Sequence, residues 1–290
     1  MKKVLLTGGR GMLGRTLCRV LDGSFEFVPT DLPEGDITDP EGFDSLLKQT
    51  RPDAVIHCAA MTAVDQCEED GPSGKDLAWR LNAYGSAVVA AACRRNSVRL
   101  IAISTDYVFD GALERPYHEF DLPDGGRTVY GRSKWEGERQ IRSLCPDHLI
   151  CRVSWLYGFG GPSFVHAMRK LADGSRPELK VVSDQIGNPT SAIAVARKLG
   201  ELLERPALNG TFHLTCEGEA SWYDFACEIF ALSGISQKVV PCSTAEFPRK
   251  APRPANSRLE KRMLRFAGLS PMPHWKEALA EFLPLEFPAS

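Results

Sequence analysis

The sequence lacks the features that would place it in a membrane, in an oxidising compartment or around a metal. No apolar run approaches the roughly 18 residues that a membrane-crossing helix requires. The N-terminal run Val4-Leu5-Leu6 is too short for a signal peptide and leads straight into a glycine turn. These absences predict a cytoplasmic protein with no membrane partner. Its 9 cysteines form no Cys-x-x-Cys, and neither they nor the 6 histidines fall at zinc-ligand spacing, so reduced thiols and no metal are expected. Cys67 stands among Asp65, Glu68 and Glu69, acids that disfavour a reactive thiolate. A large net charge is also missing. With 35 basic and 37 acidic residues the chain carries -2 and a pI near 6.3, which offers no footprint for nucleic acid. No internal repeat or low-complexity tract is evident, which excludes the solenoid architectures.

What is present is enough for a sizeable core. The chain has 290 residues, of which 43% are hydrophobic and 25% charged, a length that suits one large α/β domain or a domain with a small companion. Short apolar runs at Val4 to Leu6, Phe25 to Val28, Ala54 to Cys58, Leu100 to Ile103 and Leu149 to Val153 read as buried parallel strands. They alternate with helical patterns near Met12 to Leu21, Glu41 to Gln49, Lys75 to Arg94 and Tyr130 to Leu144. This alternation predicts a doubly wound, Rossmann-like α/β sheet with right-handed crossovers. Residues 1–153 with about 175–215, including strands at Lys180 to Ser183 and Thr211 to Thr215, are assigned to the dinucleotide-binding domain. Residues of about 154–174 and 216–290, including the Pro-rich segment Pro248 to Pro254, form a smaller substrate-binding lobe.

The first strand runs into Gly8-Gly9-Arg10-Gly11-Met12-Leu13-Gly14, which opens the first helix. Glycines at Gly8, Gly11 and Gly14 let a phosphate reach bare backbone N–H groups at a helix N-terminus, where a side chain would obstruct it. Dinucleotide binding is expected here. Asp31 ends the second strand, where a carboxylate accepts hydrogen bonds from an adenosine ribose and favours NADH. Arg10, in the turn itself, matches a ribose 2'-phosphate and favours NADPH. The two signals conflict, so the cofactor is read as NADPH or NADH. Asp36 and Ile37 are candidates to flank the adenine, and Ala59-Ala60, small residues after the third strand, to pass close to the cofactor. Asp39 before Pro40 reads as a helix N-cap with proline at the first helical position.

The fourth strand ends in Ser104-Thr105-Asp106-Tyr107-Val108-Phe109, at the carboxyl edge where ligands of open α/β sheets collect. Tyr130 and Lys134 stand one helical turn apart in Tyr130-Gly131-Arg132-Ser133-Lys134. A hydroxyl to hold a carbonyl, a phenol to protonate it and an ammonium beside them suit carbonyl reduction. Lys134, with an oxidised nicotinamide, is expected to lower the phenol pKa from its usual value of about 10.

These residues resemble the dTDP-4-dehydrorhamnose reductase family of extended short-chain dehydrogenases. The resemblance extends to Ala60-Met61-Thr62-Ala63-Val64-Asp65, Ser154-Trp155-Leu156-Tyr157, Asp184-Gln185-Ile186-Gly187-Asn188-Pro189-Thr190 and Arg253-Pro254-Ala255-Asn256-Ser257, and so spans most of the chain. It implies reduction of the 4-keto group of a nucleotide-linked deoxyhexose by NAD(P)H, as in cell-surface polysaccharide synthesis. Thr105 would orient the carbonyl, Tyr130 protonate its oxygen, and Lys134 bind the nicotinamide ribose. Asp106, Tyr107 and Trp155 would meet the sugar. Residues 249–265 carry seven basic side chains against Glu260, a local +6, and Arg253 is the one expected to meet a diphosphate. Two other readings stay open: another nucleotide-sugar reductase or epimerase, and a non-catalytic dinucleotide-binding regulatory subunit. Sugar 4,6-dehydratases resemble one another in an Asp-Glu pair where this chain has Asp106-Tyr107, which argues against dehydration. No pattern specifies an oligomeric state, and a homodimer stays open.

Overall fold

Six parallel strands in the order Gly210–His213, β5 (His148–Val153), β4 (Arg99–Thr105), β3 (Ala54–His57), β1 (Lys3–Thr7) and β2 (Glu26–Thr30) make the central sheet. The computed structural model describes residues 1–288. Strand periodicity explains how the sheet is covered on both faces. Val4, Leu6, Ala54, Ile56, Leu149 and Cys151 point into one core with Leu13 and Leu17 of α1 (Met12–Val20), while Leu5, Val55, Leu100 and Ile150 point into the other. That second core holds Phe43 and Leu47 of α2 (Pro40–Thr50) and Val88, Val89 and Cys93 of α5 (Ser86–Arg95). Each buried Val, Leu, Ile or Phe side chain among them contributes roughly 1.5–3 kcal/mol of burial free energy.

The chain moves outward from β1 to β2 and then returns to β3 on the other side of β1, so the carboxyl ends of β1 and β3 flank a topological switch point. Both the glycine turn and Ala59-Ala60 lie there.

The reading of Lys75 to Arg94 as one regular helix needs amending. α4 (Lys75–Ala78) passes into a π-helical turn, Trp79–Gly85, before α5 begins. The looser turn is held by Asn82, whose side chain is occupied by a distant loop rather than by solvent. A second difference concerns Leu179–Val182, which pairs with Val239–Cys242 and not with the central sheet. Local apolarity announces a strand but cannot choose its partner. The C-terminal part adds helices Trp222–Ser233 and Trp275–Glu286 and a short three-stranded sheet of Ala220–Ser221, Ile186–Gly187 and Asn256–Ser257.

No helix among the described residues is long and apolar enough to cross a membrane. Asp39 caps α2 through Oδ1, which accepts from Glu41 N at 3.1 Å and Gly42 N at 3.0 Å, with Pro40 following. Asp39→Ala should lower stability by about 1 kcal/mol, the usual worth of such a cap. Urea unfolding would show this as a lower midpoint at unchanged slope.

Candidate active site

A cavity of about 980 Å³ runs along the carboxyl edge of the sheet from the glycine turn to the C-terminal loop. The glycine turn builds one end. Gly8 takes φ +69, and a Cβ there would stand 2.8 Å from Ala59 N, while one on Gly14 would stand 2.5 Å from Gly8 O. Both positions exclude any larger residue. Gly11, the N-cap of α1, supplies no capping side chain, so the first N–H groups of that helix are left for a ligand. The turn therefore fits the pyrophosphate of a dinucleotide on its backbone alone.

Gly8, Gly11, Met12, Leu13 and Gly14 line the cavity, as do Asp31, Asp36, Ile37, Ala59 and Ala60. Arg10 is exposed and lies off the cavity wall. Its backbone N–H donates to Asp31 Oδ2 at 2.7 Å, so the same turn that carries the arginine also fixes the carboxylate. Asp36 folds an Asx turn on Thr38, with Oδ1 accepting from both its N–H and its hydroxyl at 2.8 Å. Ile37 is buried against the second core.

Thr105, at the end of β4, and Tyr130 and Lys134, on α6 (Val129–Leu144), meet at the middle of the cavity. The Thr105 hydroxyl donates to Asp106 Oδ1 at 3.0 Å, accepts from Tyr107 N at 3.2 Å and lines the cavity beside the Tyr130 phenol. Burial raises the Asp106 pKa to about 6, against hydrogen bonds from Ser257 and Thr105 that favour the carboxylate. Tyr107 packs edge-on to Tyr130 with ring centroids 5.4 Å apart. Lys134 Nζ donates to Ile103 O at 2.8 Å, and burial lowers its pKa to about 8, opposed by the charge of Glu138.

The expected effect of Lys134 on the phenol is not found. Burial raises the pKa of Tyr130, the neighbouring Thr105 hydroxyl opposes this, and Asp106 and Cys67 add to the rise. The ammonium is turned to the Ile103 carbonyl instead.

At the far end Trp155 takes φ +48, a conformation rare outside glycine, and stacks on Trp222 with ring centroids 3.5 Å apart. Trp222 Nε1 donates to Gln185 Oε1 at 3.1 Å, and Phe164 lies against its ring at 4.6 Å. Arg253 lines the same wall.

The family model for the RmlD substrate binding domain matches residues 1–286. The chain belongs to this family. A dTDP-4-dehydrorhamnose reductase from Clostridium acetobutylicum has a TM-score of 0.92 at 44% identity, covering 98% of this chain and 99% of its own. The dTDP-4-dehydrorhamnose reductase of Bacillus anthracis, solved in complex with NADP, has a TM-score of 0.92 at 38% identity, covering 97% and 98%. The spore coat polysaccharide biosynthesis protein SpsK of Bacillus subtilis is 40% identical across 98% of this chain and 97% of its own.

Within this RmlD-type site, several supporting residues carry no signal in the sequence. Asn82 accepts from Met61 N at 2.9 Å, donates to Met61 O at 3.1 Å and donates to Ser133 Oγ at 3.0 Å. It thereby ties the loop after β3 to α6. Glu138 and Arg152 are buried behind Lys134. Glu138 Oε1 accepts from Ser104 Oγ at 2.6 Å and Arg152 Nε at 2.8 Å, and Oε2 accepts from Arg152 Nη2 at 2.7 Å and Arg142 Nη2 at 2.8 Å. Trp222 stands in a helix whose apolar pattern reads as ordinary core. An aromatic at the first turn after the Ser221 cap is the one local hint of its position.

The guanidinium partners hold the Glu138 pKa down to about 2 despite its burial. The sign follows from linkage. A depressed carboxyl pKa gives stability that is complete above the unfolded value, near 4.5, and lost as pH falls toward about 2. Glu138→Gln leaves the Arg152 charge buried without its counter-ion and should cost on the order of 3–5 kcal/mol. It should also flatten the acid limb of stability against pH, as denaturant titrations between pH of about 2 and 7 would reveal.

Proposed function

We propose that the chain reduces the 4-keto group of dTDP-4-dehydro-L-rhamnose to give dTDP-L-rhamnose with NADPH or NADH, in the cytoplasmic supply of deoxysugar for cell-surface polysaccharide. The observation that carries this reading is the meeting of Thr105, Tyr130 and Lys134 midway along one cavity that joins a bare glycine turn to Arg253. The family and its reductase members support the substrate class, and nine free cysteines support a reducing compartment. Every group named comes from one chain, so a homodimer is not needed to complete the site.

Gly8, Gly11, Met12, Leu13 and Gly14 receive the dinucleotide's pyrophosphate, Asp31, Asp36 and Ile37 its adenosine half, and Ala59 and Ala60 its middle, with exposed Arg10 left to pair with a ribose 2'-phosphate when the cofactor is NADPH. Bound there, the dinucleotide supplies the hydride. Lys134 spends one N–H on Ile103 O and keeps two for the nicotinamide ribose. Tyr130, whose burial keeps the phenol protonated at neutral pH, gives its proton to the keto oxygen. The Thr105 hydroxyl then turns its single proton toward the phenolate, so the new charge is met where it forms. Asp106, Tyr107 and Trp155 hold the sugar, and Arg253 holds the diphosphate.

The test is loss of reduced-nicotinamide absorbance when purified protein meets dTDP-4-dehydro-L-rhamnose, run with each cofactor. Substrate-dependent oxidation is expected. Silence with both cofactors, despite cofactor binding, would point to another nucleotide sugar or a regulatory role. Tyr130→Phe should retain cofactor binding while turnover falls by on the order of 10² to 10⁴; near wild-type turnover would remove Tyr130 from its role. A base lowered to about 8 loses its charge as pH rises through that value, so kcat/KM should decline above pH of about 8. Lys134→Met should show low activity without that limb.

A further inference from the structure

The four-residue helix α3 (Val64–Cys67) touches both ends of the proposed reaction path. At its C-terminus Glu68 Oε1 accepts from Val129 N at 2.7 Å, the first residue of the helix that carries Tyr130. From the other side Asp65 spends both oxygens on the C-terminal loop. Oδ1 accepts from Ala251 N at 3.0 Å, and Oδ2 accepts from Arg253 Nη2 at 2.8 Å across a sequence separation of 188. Arg253 closes the arrangement by donating Nη1 to Ala251 O at 3.0 Å. A side chain with many rotamers is thus fixed against the cavity wall. Two of its five N–H groups are spent and three are free for a phosphate.

We infer that Asp65 is a positioning residue: it presents the Arg253 guanidinium to the diphosphate of the nucleotide sugar, at a distance from Tyr130 that α3 sets. The inference rests on the reading of this cavity as a nucleotide-sugar site. It gives the motif Met61-Thr62-Ala63-Val64-Asp65 a task beyond forming a loop. Charge works in the opposite direction, because a carboxylate beside an anion site repels the anion. Here positioning wins. The Asp65 side chain is 39% exposed, so water screens its repulsion of the diphosphate, whereas no screening removes the entropy lost in ordering a free arginine. The neighbouring Lys250 to Glu69 pair, at 3.4 Å and about half exposed on both sides, adds little to the clasp.

The experiment is a double-mutant cycle on dTDP binding, measured by calorimetry, which does not depend on turnover. Asp65→Ala should weaken dTDP by about tenfold, Arg253→Ala should weaken it at least as much, and the double variant should bind no worse than Arg253→Ala alone. NADPH affinity should stay within about twofold of wild type in all of them. In steady state the Asp65→Ala effect should fall on KM for the nucleotide sugar rather than on kcat. A merely structural role would instead add its full loss again in the Arg253→Ala background, which would overturn the inference. Wild-type or tighter dTDP binding by Asp65→Ala overturns it too, and leaves the nucleotide-sugar reading standing. Failure of the wild type to bind dTDP would remove that reading, and the role of Asp65 with it.

Discussion

Glu138 is buried on the inner face of α6, and its carboxylate accepts hydrogen bonds from Ser104 on β4 and Arg152 on β5. Arg152 in turn lies 5.0 Å over the Phe109 ring and reaches His213 Nε2 at 3.3 Å on the neighbouring strand. His213 donates from Nδ1 to Glu260 O at 2.9 Å, so the arginine meets an accepting nitrogen. A buried pair of this kind costs desolvation on both sides and is stable only because each polar atom is met. Its consequence is rotational. α6 cannot roll on the sheet without breaking the set, and so Tyr130 and Lys134, about two turns and one turn earlier, stay aimed at the cavity.

Other contacts join the two ends of the molecule around that fixed helix. Arg15 donates to Arg10 O in the glycine turn and to Gly160 O in the loop after β5. Met12 packs against Gly158 and Gly161 in the same loop. The glycine turn is therefore bound to the segment that leads to Phe164, while α3 binds α6 to Arg253. The cavity walls are held by side chains from across the sequence, which suits a reaction that needs two large ligands placed within contact of each other.

Much of the local geometry could be read directly. Gly8, Gly11 and Gly14 announce a tight turn into α1 because their spacing is imposed by local backbone geometry, and Tyr130 and Lys134 share a helix face because four residues make about one helical turn. Asp39 and Pro40 mark their helix start for the same reason. The errors share a cause as well. Leu179–Val182 is apolar and extended, yet only the fold decides that it joins Val239–Cys242. The pKa of Tyr130 depends on what surrounds a phenol in space, and spacing along a helix says nothing about burial. Asn82 breaks helical regularity to serve Met61 and Ser133, residues 21 and 51 positions away.

Sequence alone settled the doubly wound architecture, the glycine turn and the one-turn spacing of Tyr130 and Lys134, since each is written in short-range spacing that backbone geometry enforces. Tertiary structure decided the rest. The Glu138 and Arg152 pair, the Trp155 stack on Trp222 and the clasp of Asp65 on Arg253 each unite segments that no local pattern connects. A charge or a ring acquires its function from the partner that burial forces on it, and that partner is chosen only when the whole chain packs.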